Sequence, residues 1–432
     1  VKSNTSLHQN GAVTTHRLVP WLWFWLVVYL LGLPDLARYS WLPKLADLFS
    51  AQTGLLQGLN PLSRLNALSG ILELAPMLAV FLGVLTLLFP HLRAWLIERA
   101  YALSEPEGVP AIQEMRAFIA AQMPNARLRA NLRRFDQPAF TYPLGYRTCA
   151  VAVFGGLALL WRKDRPAAEA ILLHEIAHCR HGDVLIVGAG SLFQWLANRW
   201  VWIYLALGLL PMLLAGGYEL WNTWQQLRSM YTLSLLSSAE LARQFFSALW
   251  LILSGELIIA VYLMLYTAWV FILPLMGIWS AELNADRFVC ANLRSADEVS
   301  SALARLQRQK RSIRERLLGG MSHPPAGLRA AAARNYQSST CRGALTLLFP
   351  AAYLGKLALN IAMVVVIKLP AWDAHAVLQT LAGGIQAFFR GSAFIWLAML
   401  LLTLAWPFLS PYWEWFFSGQ TVPQRGSNTV KM

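Results

Sequence analysis

The chain has 432 residues, of which 57% are hydrophobic and only 13% charged, with a mean hydropathy of +0.45. These proportions exclude an ordinary soluble domain and predict an integral membrane protein, for which 19 Trp and 13 Tyr supply side chains suited to the lipid-water boundary. The formal charge of +14 would suit nucleic acid, but the basic residues fall between hydrophobic stretches, where they orient a chain in a bilayer, so a nucleic-acid partner is set aside.

Residues 1–17 are polar and read as a tail. Leu18 to Pro34 is uncharged and rich in Trp and Leu, close to the shortest run that spans ~30 Å of hydrocarbon. A signal peptide has the same look, but no small-residue cleavage site follows, which favours an uncleaved anchor. Leu68 to Pro90 is a second span, interrupted only by Glu73, whose carboxylate is expected to face the bundle interior. From His91 to Asp183 the chain turns Arg-rich and loses its long apolar runs, as expected of a water-exposed domain. Within it, Val109 to Met123 has amphipathic helical spacing. Ala139 to Tyr142 and Thr148 to Phe154 read as strands, and Pro143 to Tyr146 as the turn between them. Such a hairpin offers an edge on which an extended peptide can pair.

Leu173-His174-Glu175-Ile176-Ala177-His178 lies in a stretch of Ala, Leu, Ile and Glu that predicts a helix over Ala167 to Cys179. Four residues apart on a helix, His174 and His178 point the same way and can share one metal, while Glu175 projects beside them toward a water. Val184 to Asn198 is short for a crossing and is read as an extension of this helix. Apolar segments up to Tyr218 and from Leu257 to Ala281 form a transmembrane hairpin, joined by a polar connection over Glu219 to Arg243. Glu282 to Arg342 is again dense in Arg, and spans follow at Ala344 to Ile367 and Gly391 to Phe417. The two Arg-rich segments therefore face the cytoplasm, and the lean loops over Asp35 to Asn66 and Glu219 to Arg243 face outward. Six spans result, with both ends inside. Cys149, Cys179, Cys290 and Cys341 have no framework spacing and fall in the cytoplasmic segments, which predicts four reduced thiols.

A third zinc ligand can come from anywhere in the sequence. In Ser280-Ala281-Glu282-Leu283-Asn284-Ala285-Asp286-Arg287, a carboxylate at Glu282 can bind metal while Asp286, four residues on, holds the far nitrogen of a ligating His. An acidic first turn favoured by the helix dipole would look the same.

Three separated motifs here resemble the M48 family of membrane zinc metallopeptidases, which includes the bacterial heat-shock protease and the CAAX-prenyl endopeptidase. They are His174-Glu175-Ile176-Ala177-His178 followed by Asp183, Glu282-Leu283-Asn284-Ala285-Asp286, and Ser322-His323-Pro324-Pro325 followed by Arg329. The resemblance covers roughly residues 127 to 334 and leaves out the last two spans. It departs at Pro138-Ala139-Phe140, where the family usually has Asn-Ala-Phe, which puts the details of the substrate strand in question. It implies His174, His178 and Glu282 as ligands of one Zn2+ per chain, Glu175 as catalytic carboxylate, Asp286 as the residue behind a ligand, and His323 and Arg329 near the scissile carbonyl.

The expected fold is a polytopic α-helical membrane protein of about six transmembrane helices carrying a cytoplasmic, zincin-like α+β catalytic domain. Its parts are a tail and two spans (1–90), a catalytic part with the zinc helix (91–183), a transmembrane hairpin (184–281), a catalytic part with the third ligand (282–343), and two spans with a tail (344–432). The expected function is a zinc metalloendopeptidase, in a bacterial inner (cytoplasmic) membrane, that hydrolyses membrane or membrane-associated proteins at the cytoplasmic face in membrane-protein quality control. Its partners are protein or peptide substrates and membrane lipid. Two alternatives are a processing protease of narrow specificity and a membrane sensor with a zincin-like domain; the outward loops are short for a sensor's ligand domain.

Overall fold

The computed structural model describes residues 18–32, 75–105, 108–293, 323–368 and 374–419. The two polar tails, the loop over Asp35 to Asn66, Glu73 and the Arg-rich run of residues 294–322 lie outside the described residues.

The protein is a helical membrane protein with a small mixed sheet. Helix α1 (Trp21–Leu31) is short and apolar, and α2 (Ala75–Leu88) meets α3 (Pro90–Tyr101) at a bend of 84°. Pro90 sets that corner, because it lacks an N–H and is accommodated in the first turn of α3. The domain that follows comprises α4 (Pro110–Gln122), β1 (Ala126–Asn131), β2 (Ala139–Pro143), β3 (Cys149–Phe154), α5 (Gly155–Lys163) and α6 (Arg165–His181). The membrane helices then resume with α7 (Leu192–Tyr204), a π-helical turn (Leu205–Leu209), α8 (Leu210–Thr232) and α9 (Ser238–Leu293). Last come α10 (Ala326–Arg334), α11 (Ser339–Lys368) and α12 (Ala374–Ser418).

Among the described residues, four helical rods are long and apolar enough to cross a membrane, and the bent α2–α3 pair makes a fifth if it is one span. The hairpin expected from the hydropathy is formed by the rod Leu192–Thr232 and by α9, but its polar connection is helical rather than a loop. The turn itself is only residues 233–237, where Ser237 and Glu240 exchange hydrogen bonds that cap the new helix. With 56 residues, α9 is about 84 Å long, more than twice the ~30 Å of hydrocarbon, so it is long enough to cross and still bring its C-terminal turns to the domain that carries α6.

The sheet has the order β1-β3-β2, with β3 antiparallel to β2 and parallel to β1. All six residues of Cys149-Ala-Val-Ala-Val-Phe154 are buried, as befits a central strand covered on both faces. Just before β2, the Pro138 carbonyl accepts from Phe154 N–H, and in this register Ala139 and Thr141 turn their N–H and C=O groups away from β3.

Helix α6 starts where the Asp164 carboxylate accepts the Ala167 N–H at 3.2 Å, and it stops at Gly182, whose φ of +74° only glycine adopts freely. Val184 to Asn198 is therefore not an extension of α6. The chain makes a 3-10 turn (Asp183–Leu185) and a loop before Ser191 caps α7 by accepting from Gln194 N–H. Buried Arg93 holds this loop by donating to the carbonyls of Val184, Leu185, Val187 and Ala189 at 2.7–3.2 Å. The thiol expectation also needs correction, since Cys149 and Cys179 are joined in a disulfide. Cys149 opens β3 and Cys179 lies on the last turn of α6 facing it, a proximity set by packing between elements that spacing along the chain does not show.

Candidate metal centre

The two histidines of α6 and the carboxylate of α9 converge. The Nε2 atoms of His174 and His178 are 3.3 Å apart, Glu282 Oε1 is 3.5 Å from His178 Nε2, and Glu282 Oε2 is 3.7 Å from His174 Nε2. A tetrahedral ion with bonds of 2.0–2.1 Å separates its ligand atoms by about 3.4 Å, so the three side chains already stand at the spacing such an ion requires. They form the one group of metal-capable residues among those described. Burial pulls the His178 imidazolium down, but Asp183, Glu282 and Glu175 more than offset it and raise the group to about 9. The same carboxylates that favour a proton there favour a metal cation.

Each ligand has a partner behind it. His174 Nδ1 lies 3.0 Å from Asp286 Oδ1, which leaves Nε2 for the metal, and His178 Nδ1 faces Asp183 Oδ2 at 3.8 Å. Arg329 grips Asp286 with two parallel hydrogen bonds of 2.7 Å, and its Nη2 also stands 3.8 Å from Glu282. Arg329 is thus buried behind the ligands, where it fixes the carboxylate that orients His174 instead of presenting its guanidinium to a substrate. His323 Nδ1 is 3.0 Å from Glu282 Oε2 without hydrogen-bond geometry, and its side chain is 39% exposed, at the mouth of the site.

Glu175, the residue after the first ligand, is half-buried and accepts a 3.1 Å hydrogen bond from Thr141 Oγ1 on β2. The outer strand edge therefore runs directly beside this carboxylate. Thr141 is a contact the sequence reading did not anticipate, and the only signal for it was the strand pattern of residues 139–142. His181 and Asp183, the nearest other candidates for a ligand, are not in the cluster. His181 is packed against Asn284 at 3.3 Å, and Asp183 stands behind His178.

Compared with known protein families, with characterised proteins and with solved structures, the chain gives no match.

Proposed function

We propose that the protein is a membrane-embedded zinc metalloendopeptidase. The observation that carries this reading is the convergence of Glu282, more than a hundred residues further along the chain, on His174 and His178, with Glu175 alongside and a strand edge beside it. Two imidazoles and one carboxylate suit zinc best, and the three motifs resembling the M48 metallopeptidases point the same way.

When bound, the metal supplies Lewis acidity at the reacting carbonyl. The residues do the rest. An extended peptide pairs with the outer edge of β2 at the partly exposed Ala139, next to buried Thr141, which brings its scissile bond toward Glu175. Glu175 takes the proton of the attacking water and returns it to the leaving amine, while the Thr141 hydroxyl holds the carboxylate in place. His323, exposed at the mouth, donates to the oxyanion as the carbonyl becomes tetrahedral. Asp286 holds the His174 tautomer, and Arg329 holds Asp286.

The substrates are cytoplasmic loops or tails of membrane proteins, in a role of quality control. The Arg-rich composition of the segments around the site supports the cytoplasmic face of a bacterial inner membrane. The disulfide is compatible with that side, because both cysteines are only 2% exposed and shielded from a reducing thiol pool. The test is a comparison of new protein termini in membranes from cells making the wild type or Glu175→Gln. Membrane-protein fragments confined to the wild type are expected, and identical termini in both would refute the proposal.

A further inference from the structure

The last turn of the zinc helix is tied down residue by residue. Helix ends fray because their final carbonyls lack partners, and His178 lies in the last turn of α6. Each of its neighbours is tied to an element outside α6. Cys179 is bonded to Cys149 of β3, and its carbonyl accepts from Gly182 N–H. Arg180 forms an ion pair with Glu414 of α12 and lies over the Phe288 ring of α9. The carbonyl of His181 accepts from Trp413 Nε1 at 2.9 Å, which satisfies one of the orphan groups. Gly182 packs beneath Phe417 so closely that a Cβ there would lie 2.5 Å from the ring.

Three of these four ties come from the end of α12, a helix that also passes the length and hydropathy test for a membrane span. The same turn of α12 reaches the β2–β3 turn as well. Arg147 donates to the Phe416 carbonyl at 3.0 Å and stacks on the Trp415 and Phe416 rings. One short aromatic segment thus grips both the helix that carries the histidines and the hairpin that carries Thr141.

We infer that Trp413, Glu414 and Phe417 form a brace that positions the metal-bearing turn of α6, so that the C-terminal membrane helix sets the geometry of the candidate metal site without touching it. This rests on the metal-site reading above. The physical basis is preorganisation. A ligand held by fixed surroundings loses little freedom on binding a cation, whereas a frayed turn must be ordered at the cost of affinity.

The experiment uses the full chain purified in detergent, loaded with Zn2+ or with Co2+. Metal affinity is read by competition with a chelator, ligand geometry by the visible absorption bands of Co2+, and folding by thermal melting. Trp413→Phe removes the donor to His181 and Glu414→Gln removes the ion pair. The double variant is expected to weaken Zn2+ binding roughly tenfold, the lower end of what lost outer contacts cost a metal site, and to shift the Co2+ bands. Glu414→Asp is expected to stay near the wild type. Unchanged affinity and bands in a double variant that melts at a lower temperature would make these contacts ordinary packing and overturn the brace. A wild type that binds neither ion overturns the metal reading, and the brace with it.

Discussion

The Nδ1 atom of His174 on α6 lies 3.0 Å from Oδ1 of Asp286 on α9, one helical turn beyond Glu282. The i and i+4 positions of α9 thereby divide the work, with Glu282 facing the other two ligand nitrogens and Asp286 facing the back of one imidazole. Asp286→Asn is expected to retain the fold, because the Arg329 fork keeps one acceptor, and to weaken zinc by roughly 10- to 100-fold. Chelator competition on the purified variant measures it, and wild-type affinity would remove Asp286 from the support of the site.

Glu175 has a different task, since its carboxylate is tied to Thr141 and does not belong to the ligand group. Glu175→Gln is expected to keep zinc at wild-type content and to lose peptide hydrolysis by a factor on the order of 10² to 10⁴. Turnover on a quenched fluorescent peptide, beside metal analysis of the same sample, separates the two effects. Undiminished turnover would exclude Glu175 as the base.

Much of this arrangement was legible in the sequence, because periodicity is local. The helix over residues 167–179, the hairpin of residues 139–154 and the apolar rods all follow from patterns within a few turns of chain. The ligand pair His174 and His178 needs only helical spacing, and the Glu282 and Asp286 pair needs the same rule applied twice. What stayed hidden depends on packing between distant segments. The parallel partner of β3 is Ala126–Asn131, which alternates apolar and polar residues but is built of Ala, Arg, Leu and Asn, without the β-branched and aromatic residues that mark a strand. Arg329 carries the same charge whether it faces substrate or Asp286, and only the fold chooses between them. The end of α6 is the exception, since His181-Gly182 and the glycines at 188 and 190 advertise a break that the 15-residue apolar run obscured.

The Cys149–Cys179 bond closes a loop of 30 residues between the start of β3 and the end of α6. Alkylation of the denatured, unreduced protein is expected to modify Cys290 and Cys341 only, and all four cysteines after reduction. Replacing both bonded cysteines with Ser is expected to cost roughly 2–4 kcal/mol in chemical denaturation. Four reactive thiols before reduction would dissolve the bond.

Membrane sidedness can be tested on two described residues, one near the far end of the rod Leu192–Thr232 and one in the domain that precedes it. Single cysteines placed at exposed Gln225 and exposed Lys163, in a background with Cys290 and Cys341 replaced by Ala, are expected to react from opposite faces. An impermeant reagent applied outside intact cells should label position 225 alone. Labelling of both positions from one side would mean that the rod does not cross.

Glu282 makes the strongest demand on the fold. For it to reach the histidines, the chain must leave α6, cross along the rod Leu192–Thr232, turn within residues 233–237 and return along α9. An even number of crossings brings it back to the face it left, and the 3.5 and 3.7 Å separations from His178 and His174 are where that path ends. Removing the carboxylate leaves two imidazoles, too few for a tight site, and takes away the group 3.0 Å from His323 Nδ1. Glu282→Ala is therefore expected to lose most of its zinc and all hydrolytic activity while keeping the membrane helices, whose cores lie elsewhere. Metal content by mass spectrometry after dialysis against a mild chelator decides it. Full zinc retention would show that another group completes the site, with Asp183 and His181 the nearest to hand.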